Sequence, residues 1–231
     1  MTDQSTDSER AVPLALAEPS VHVRPGWIAG LSLASLGMWM ASLTPIQVLL
    51  PIQLQNIDRA HKIAALAIVS GVGAVASVVA TPLAGALSDR TSYAYSFFGL
   101  NGRRHRWTLI MALLGAVSML LLAHQQTVAG VAAFWVIFSA FQNGEYASLS
   151  AAIPDHVPVR QRATVAGWVG MPQALGLVVG TVLVVLFLGS SVVSGYYIMA
   201  ATLFVGGLLV LSLKIRDCPE RKRLEKRSED W

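Results

Sequence analysis

The 231-residue chain is 54% hydrophobic and 13% charged, with a mean hydropathy of +0.57. That balance excludes a water-soluble globular domain and describes a polytopic membrane protein. The net charge of +4 does not make a nucleic-acid surface, because the basic residues hug the ends of apolar runs, where anionic membrane lipids account for them.

Apolar runs of about 20 residues match the roughly 30 Å hydrocarbon layer of a bilayer. Read between charge clusters, they predict spans near Gly26–Leu50, Ile63–Leu87, Trp107–Ala123, Val128–Ile153, Thr164–Leu188 and Val192–Leu213. The expected fold is an all-α membrane protein with six transmembrane helices over residues 25–214, between polar tails at 1–24 and 215–231. Of the 17 Lys and Arg, 15 lie in the two tails, at Lys214 where the last span ends, and in the second and fourth loops, and only Arg59 and Lys62 lie on the opposite side. This asymmetry predicts a cell-membrane protein with both termini cytoplasmic. A single cysteine, Cys218, excludes an internal disulfide and a multi-cysteine metal site.

Residues 1–24 carry Asp3, Asp7, Glu9 and Glu18 and lack a basic stretch followed by a short apolar core, so they read as a disordered tail and not a signal peptide. The first span holds Trp39, Thr44, Pro45, Gln47, Pro51 and Gln53 in its second half. A glutamine amide in lipid lacks partners unless it faces protein or water. Trp39, Leu43 and Gln47 follow one another at i+4 spacing, which makes Trp39 and Gln47 candidate solute contacts on one face. The alternative is that Gln47 bonds a neighbouring helix and the prolines kink the span.

The second span is rich in small residues from Ala64 to Gly85, which predicts close packing against neighbouring helices. It ends at Asp89, a carboxylate at a helix C-terminus, where the macrodipole disfavours negative charge and a cation or a helix N-terminus should compensate. There follow Arg90-Thr91, the ten residues Ser92 to Asn101, and Gly102-Arg103-Arg104-His105-Arg106. This connection resembles that between the second and third spans of the major facilitator superfamily of secondary transporters. Ser88-Asp89-Arg90-Thr91 with Gly102-Arg103-Arg104 ahead of Trp107 is most similar to its sugar–cation symporter (glycoside-pentoside-hexuronide) branch. The resemblance implies a cytoplasmic gate made of Gly85, Asp89, Arg90, Gly102, Arg103 and Arg104. Read without it, the arginines fix topology alone. Tyr93, Tyr95, Phe97 and Phe98 suit the insert to the headgroup region.

Of the 13 acidic residues, Glu145 alone falls within a span, in Phe141-Gln142-Asn143-Gly144-Glu145-Tyr146. Gln142, Glu145, Tyr146 and Leu149 share a helix face by their spacing. An ionised carboxylate in a low dielectric is costly, so a carboxyl here either carries protons for coupled transport or stays neutral and hydrogen-bonded to Asn143, Gln47 or a neighbouring helix. Gln142, Asn143 and Tyr146 join the candidate solute contacts.

Ile153-Pro154-Asp155-His156-Val157-Pro158-Val159-Arg160-Gln161-Arg162 resembles the superfamily's junction between spans four and five, with Ala163 where glycine is usual. The resemblance adds Asp155 and Arg162 to the gate. Pro154 is expected to end one helix, and Arg162, opposed to the dipole of the next helix, to serve a partner such as Asp89 or Asp155. In the fifth span Gly167, Gly176 and Gly180 read as close-packing glycines, and Gln173 is its mid-span amide and a further candidate solute contact. The tail beyond Lys214 alternates acids and bases and reads as a solvated helix.

A full superfamily member has two six-span bundles around a midplane substrate site. The expectation is therefore a half-sized secondary active transporter, one subunit of a transporter, or a fragment of a longer one. The second six-helix bundle would come from a homodimer or a separate chain. It would move a small polar solute, with a sugar as the family's analogue, by alternating access with proton coupling through Glu145. The rival is a non-transporting membrane scaffold or partner-binding subunit that retains the fold. No Gly-x-Ser-x-Gly, no His–acid pair within a span and no metal-spacing motif occurs, so no enzyme activity and no cofactor are expected.

Overall fold

A computed structural model describes residues 22–90, 103–187 and 191–212, and every element among them is helical. Helix α1 runs Pro25–Ile57 and contains a π turn at Pro45–Leu49. It is followed by α2 (Lys62–Arg90), α3 (Arg103–Leu122), α4 (Val128–His156), α5 (Val159–Phe187) and α6 (Val192–Ser212). The stretches Pro25–Ile57, Lys62–Ala86, Val159–Leu186 and Val192–Val210 are long and apolar enough to cross a membrane, and Trp107–Leu122 is a shorter apolar helix. In α4, which has 29 residues, Gln142, Asn143 and Glu145 interrupt the apolar run.

Local chemistry sets the helix ends. Pro25 opens α1, where its missing N–H is no loss. The Thr127 side chain caps α4, accepting the Gly130 N–H at 3.1 Å. Pro154 does not end α4 as its sequence suggests. The helix continues to His156, because a proline in the last turn removes only one hydrogen bond, and it stops at Val157, which Pro158 forces into an extended backbone (φ −103°, ψ 123°).

Packing joins the helices in the order α2, α4, α3, α6, α1, α5. Because α1 also touches α4, the helices α1, α6, α3 and α4 close into a ring, with α2 attached to α4 and α5 attached to α1. Leu31, Met38, Leu49, Phe138, Tyr196 and Leu203 are among the residues that fill the ring. Glycines permit its closest approaches. Gly37 of α1 faces the Thr202 carbonyl of α6, Gly206 of α6 faces the Ala34 carbonyl of α1, and Gly176 and Gly180 of α5 lie on Trp39 and Thr44 of α1. Gly167, by contrast, opens onto free space.

The small residues of α2 pack closely on one face only. Gly73 lies against Trp135, Ser77 and Thr81 meet Asn143, and Ala84 lies on Gly144, all of α4, while Ala64, Ala67, Gly71 and Ala74 are exposed. The reason is position: α2 lies at the edge of the arrangement, with α4 as its main neighbour. On the opposite edge, α5 exposes Ala163, Ala166, Gly167 and Gly170.

The turn between α1 and α2 is held by Asp58. Its carboxylate accepts the His61 backbone N–H at 3.0 Å and meets the His61 ring at 3.0 Å. The backbone bond, and then the ring bond, hold the Asp58 pKa below its usual 3.8. A depressed folded-state pKa contributes stability that is present above the unfolded value and is lost as pH falls through the folded one. Protection of the amides of residues 58–61 against hydrogen exchange, relative to their intrinsic rate at each pH, should therefore fall as the pH is taken below 3.8, and Asp58→Asn should remove that acid dependence.

Candidate functional site

Where α4 passes α1, the ring contains its polar residues. Gln142, Glu145 and Leu149 are buried on one face of α4, and Tyr146, predicted to share it, instead turns outward and is 41% exposed. Tyr146 meets Trp39 of α1 edge-on, with ring centroids 5.7 Å apart and planes at 64°. Trp39 is half-buried, while Gln47 and Gln173 are exposed on α1 and α5.

Glu145 is completely buried, and among the described residues neither carboxyl oxygen has a hydrogen-bond partner. Its sequence neighbours do not supply one. The Asn143 amide donates to Ser77 Oγ at 2.8 Å and to the Ser139 carbonyl at 2.8 Å, and it lies 3.1 Å from Gln142 Oε1. Its oxygen accepts from Thr81 Oγ1 at 3.4 Å. Asn143 thus ties α4 to α2 and is committed to packing, which leaves Glu145 a buried acid without a partner among the described residues.

Of the gate residues, Asp89 and Arg90 lie at the C-terminal end of α2, Arg103 and Arg104 at the N-terminal end of α3, and Asp155 in the last turn of α4. Their side chains, and Gly102 together with the insert 92–101, fall outside the described residues. Gly85 is half-buried, with open space where a Cβ would lie. Arg162 turns back from the first turn of α5. Its Nε donates to the Val157 carbonyl at 3.1 Å and its terminal nitrogen to the Pro154 carbonyl at 3.2 Å. A cation on the last carbonyls of α4 complements that helix's dipole. Beside it, Gln161 Oε1 accepts the Val23 N–H at 3.0 Å, tying the entry to α1 to the α4–α5 corner.

A second polar group has a role that its place in the sequence did not show. Gln53, only 6% exposed, donates to the Leu122 and Gln125 carbonyls at 3.0 Å each and accepts from the Tyr196 hydroxyl at 2.7 Å. One amide therefore ties α1 to the end of α3 and to α6. Gln53 stood beside Gln47 in the sequence as one more amide, and only a tyrosine 143 positions away separates their roles. Tyr196→Phe leaves the amide oxygen without its donor and should cost about 1–2 kcal/mol. The drop in thermal midpoint of the detergent-purified protein measures it.

Apolar spanning helices around a buried acid and an aromatic–amide face define a polytopic membrane protein with a polar seam in its bundle. Residues 28–231 match the model of the Major Facilitator Superfamily, and the chain belongs to that superfamily, whose members are transporters and not enzymes. No curated protein matches the chain.

Proposed function

We propose that this chain forms one six-span lobe of a proton-coupled secondary active transporter for a small neutral solute, a sugar by family analogy. The observation that carries the reading is Glu145: an acid with no hydrogen-bond partner among the described residues, fully buried, one residue from the Tyr146–Trp39 pair. A buried carboxyl without a partner is costly to the fold, and a proton-carrying role accounts for its presence. Trp39 and Tyr146 offer aromatic faces, and Gln47 and Gln173 offer exposed amides. Together they suit a solute with an apolar face and hydroxyl groups. Ser88-Asp89-Arg90-Thr91 and Gly102-Arg103-Arg104 favour the sugar–cation symporter branch.

A second bundle, from another copy or a separate chain, would cover the exposed small residues of the edge helices α2 and α5, which permit close helix approach in lipid. With both termini cytoplasmic in the cell membrane, Asp89, Arg90, Arg103, Arg104, Asp155 and Arg162 lie at the cytoplasmic ends of their helices and act as the latch in alternating access. Uptake of labelled sugars into sealed proteoliposomes under an imposed proton gradient tests the reading. Gradient-dependent uptake supports it. A protein that moves none of them with or without the gradient, and whose binding of partner proteins is unchanged by Glu145→Gln, is the scaffold instead.

A further inference from the structure

Two amides on α1, Gln47 and Gln53, have opposite fates: Gln47 is exposed, and Gln53 is buried in three hydrogen bonds. The π turn Pro45–Leu49, closed by the Leu50 N–H on the Pro45 carbonyl, contains the first amide and precedes the second. A π turn takes in one extra residue, so all that follows is set back by about 100° relative to an unbroken α-helix.

In unbroken α register, Gln53 would lie about four turns beyond Trp39 and on the same face. The extra residue rotates it off that face and into α3 and α6, where the Leu122 and Gln125 carbonyls and the Tyr196 hydroxyl receive it. Gln47 would stand about 80° away from Trp39 in α register. Midway through the π turn, it is set back part of the way toward Trp39.

The cause lies in Thr44-Pro45. Pro45 has no N–H for the Ala41 carbonyl, which breaks the α ladder at that point. The adjacent Thr44 hydroxyl is buried against Gly180 and has no hydrogen-bond partner among the described residues, so it does not repair the gap.

We propose that Pro45 is a positioning residue: by fixing the π turn it aims Gln47 at the solute path beside Trp39 and Tyr146 and leaves Gln53 to hold α1 against α3 and α6. This role rests on Gln47 being a solute contact.

The test is labelling of single cysteines by a water-soluble maleimide, in the full chain carrying Cys218→Ser and reconstituted in nanodiscs. Gln47→Cys should label and Ile46→Cys should not. With Pro45→Ala added, the helix can recover α register, and labelling should be lost at Gln47→Cys and gained at Ile46→Cys, seven residues beyond Trp39. An unreactive Gln47→Cys with Pro45 intact overturns the proposal, and so does labelling that stays at Gln47→Cys in Pro45→Ala. If Pro45→Ala labels both sites through loss of fold, deletion of Val48 removes the extra residue by another route. Transfer of labelling there supports the role, and equal labelling there too overturns it. Labelling needs neither solute nor proton gradient. Failed uptake with transferred labelling would sink the transport reading and leave the register, whereas normal uptake with untransferred labelling would do the reverse.

Discussion

Glu145→Gln is expected to abolish proton-driven uptake while the protein remains folded and monodisperse. Glutamine keeps the shape of the side chain but can neither bind nor release a proton at that site, so only coupling is removed. Glu145→Leu is expected to go further and stabilise the protein. Both carboxyl oxygens are buried without partners among the described residues, and a buried polar group left unsatisfied costs about 1–3 kcal/mol. Replacing it with an apolar residue of similar size removes that cost, so the thermal midpoint in detergent should rise as activity is lost. A fall would show that the carboxyl is bonded after all, and uptake that stays coupled to protons in Glu145→Gln would move the proton carrier elsewhere.

Gly37→Val should destabilise the fold by about 3 kcal/mol, near the upper end of the range for overpacked cores. A Cβ at Gly37 would lie 2.5 Å from the Thr202 carbonyl oxygen and 3.3 Å from its carbon, so both atoms in the way belong to the backbone of α6. A flexible side chain could rotate aside, but a helix backbone can yield only by moving the whole helix. The same crossing is tight from the other side, where a Cβ at Gly206 would come 3.0 Å from the Ala34 carbonyl. Separating α1 from α6 would also strain the Gln53–Tyr196 bond at the far end of the pair. Gly167→Val is the control: nothing lies within 4 Å of its Cβ position, and the lobe should lose little. Thermal unfolding of the three proteins in one detergent gives the comparison, and equal midpoints for Gly37→Val and Gly167→Val would rule out a tight α1–α6 crossing.

The helical nature of the chain, its membrane class, the superfamily motifs and the singular position of Glu145 were legible in the sequence. Each depends on a local property: the length of an apolar run, a charge within it, or a short ordered string of residues. What the amides do was not legible. Asn143 and Gln53 look like Gln47 in a hydropathy profile, yet Asn143 is taken by Ser77 and Gln53 by Tyr196, partners that only the packing order brings near. The stripe of small residues on α2 likewise predicted close packing, which α2 makes on its face toward α4, while at the edge of the arrangement Ala64, Ala67, Gly71 and Ala74 stay exposed. Pro154 looked like a helix stop, and Pro158 acts as one through the residue before it. Composition and spacing thus determine which segments are helical and apolar. Which polar group is satisfied, and which is left to react, was decided by tertiary structure, because a hydrogen bond needs its partner within about 3 Å, wherever in the chain that partner comes from.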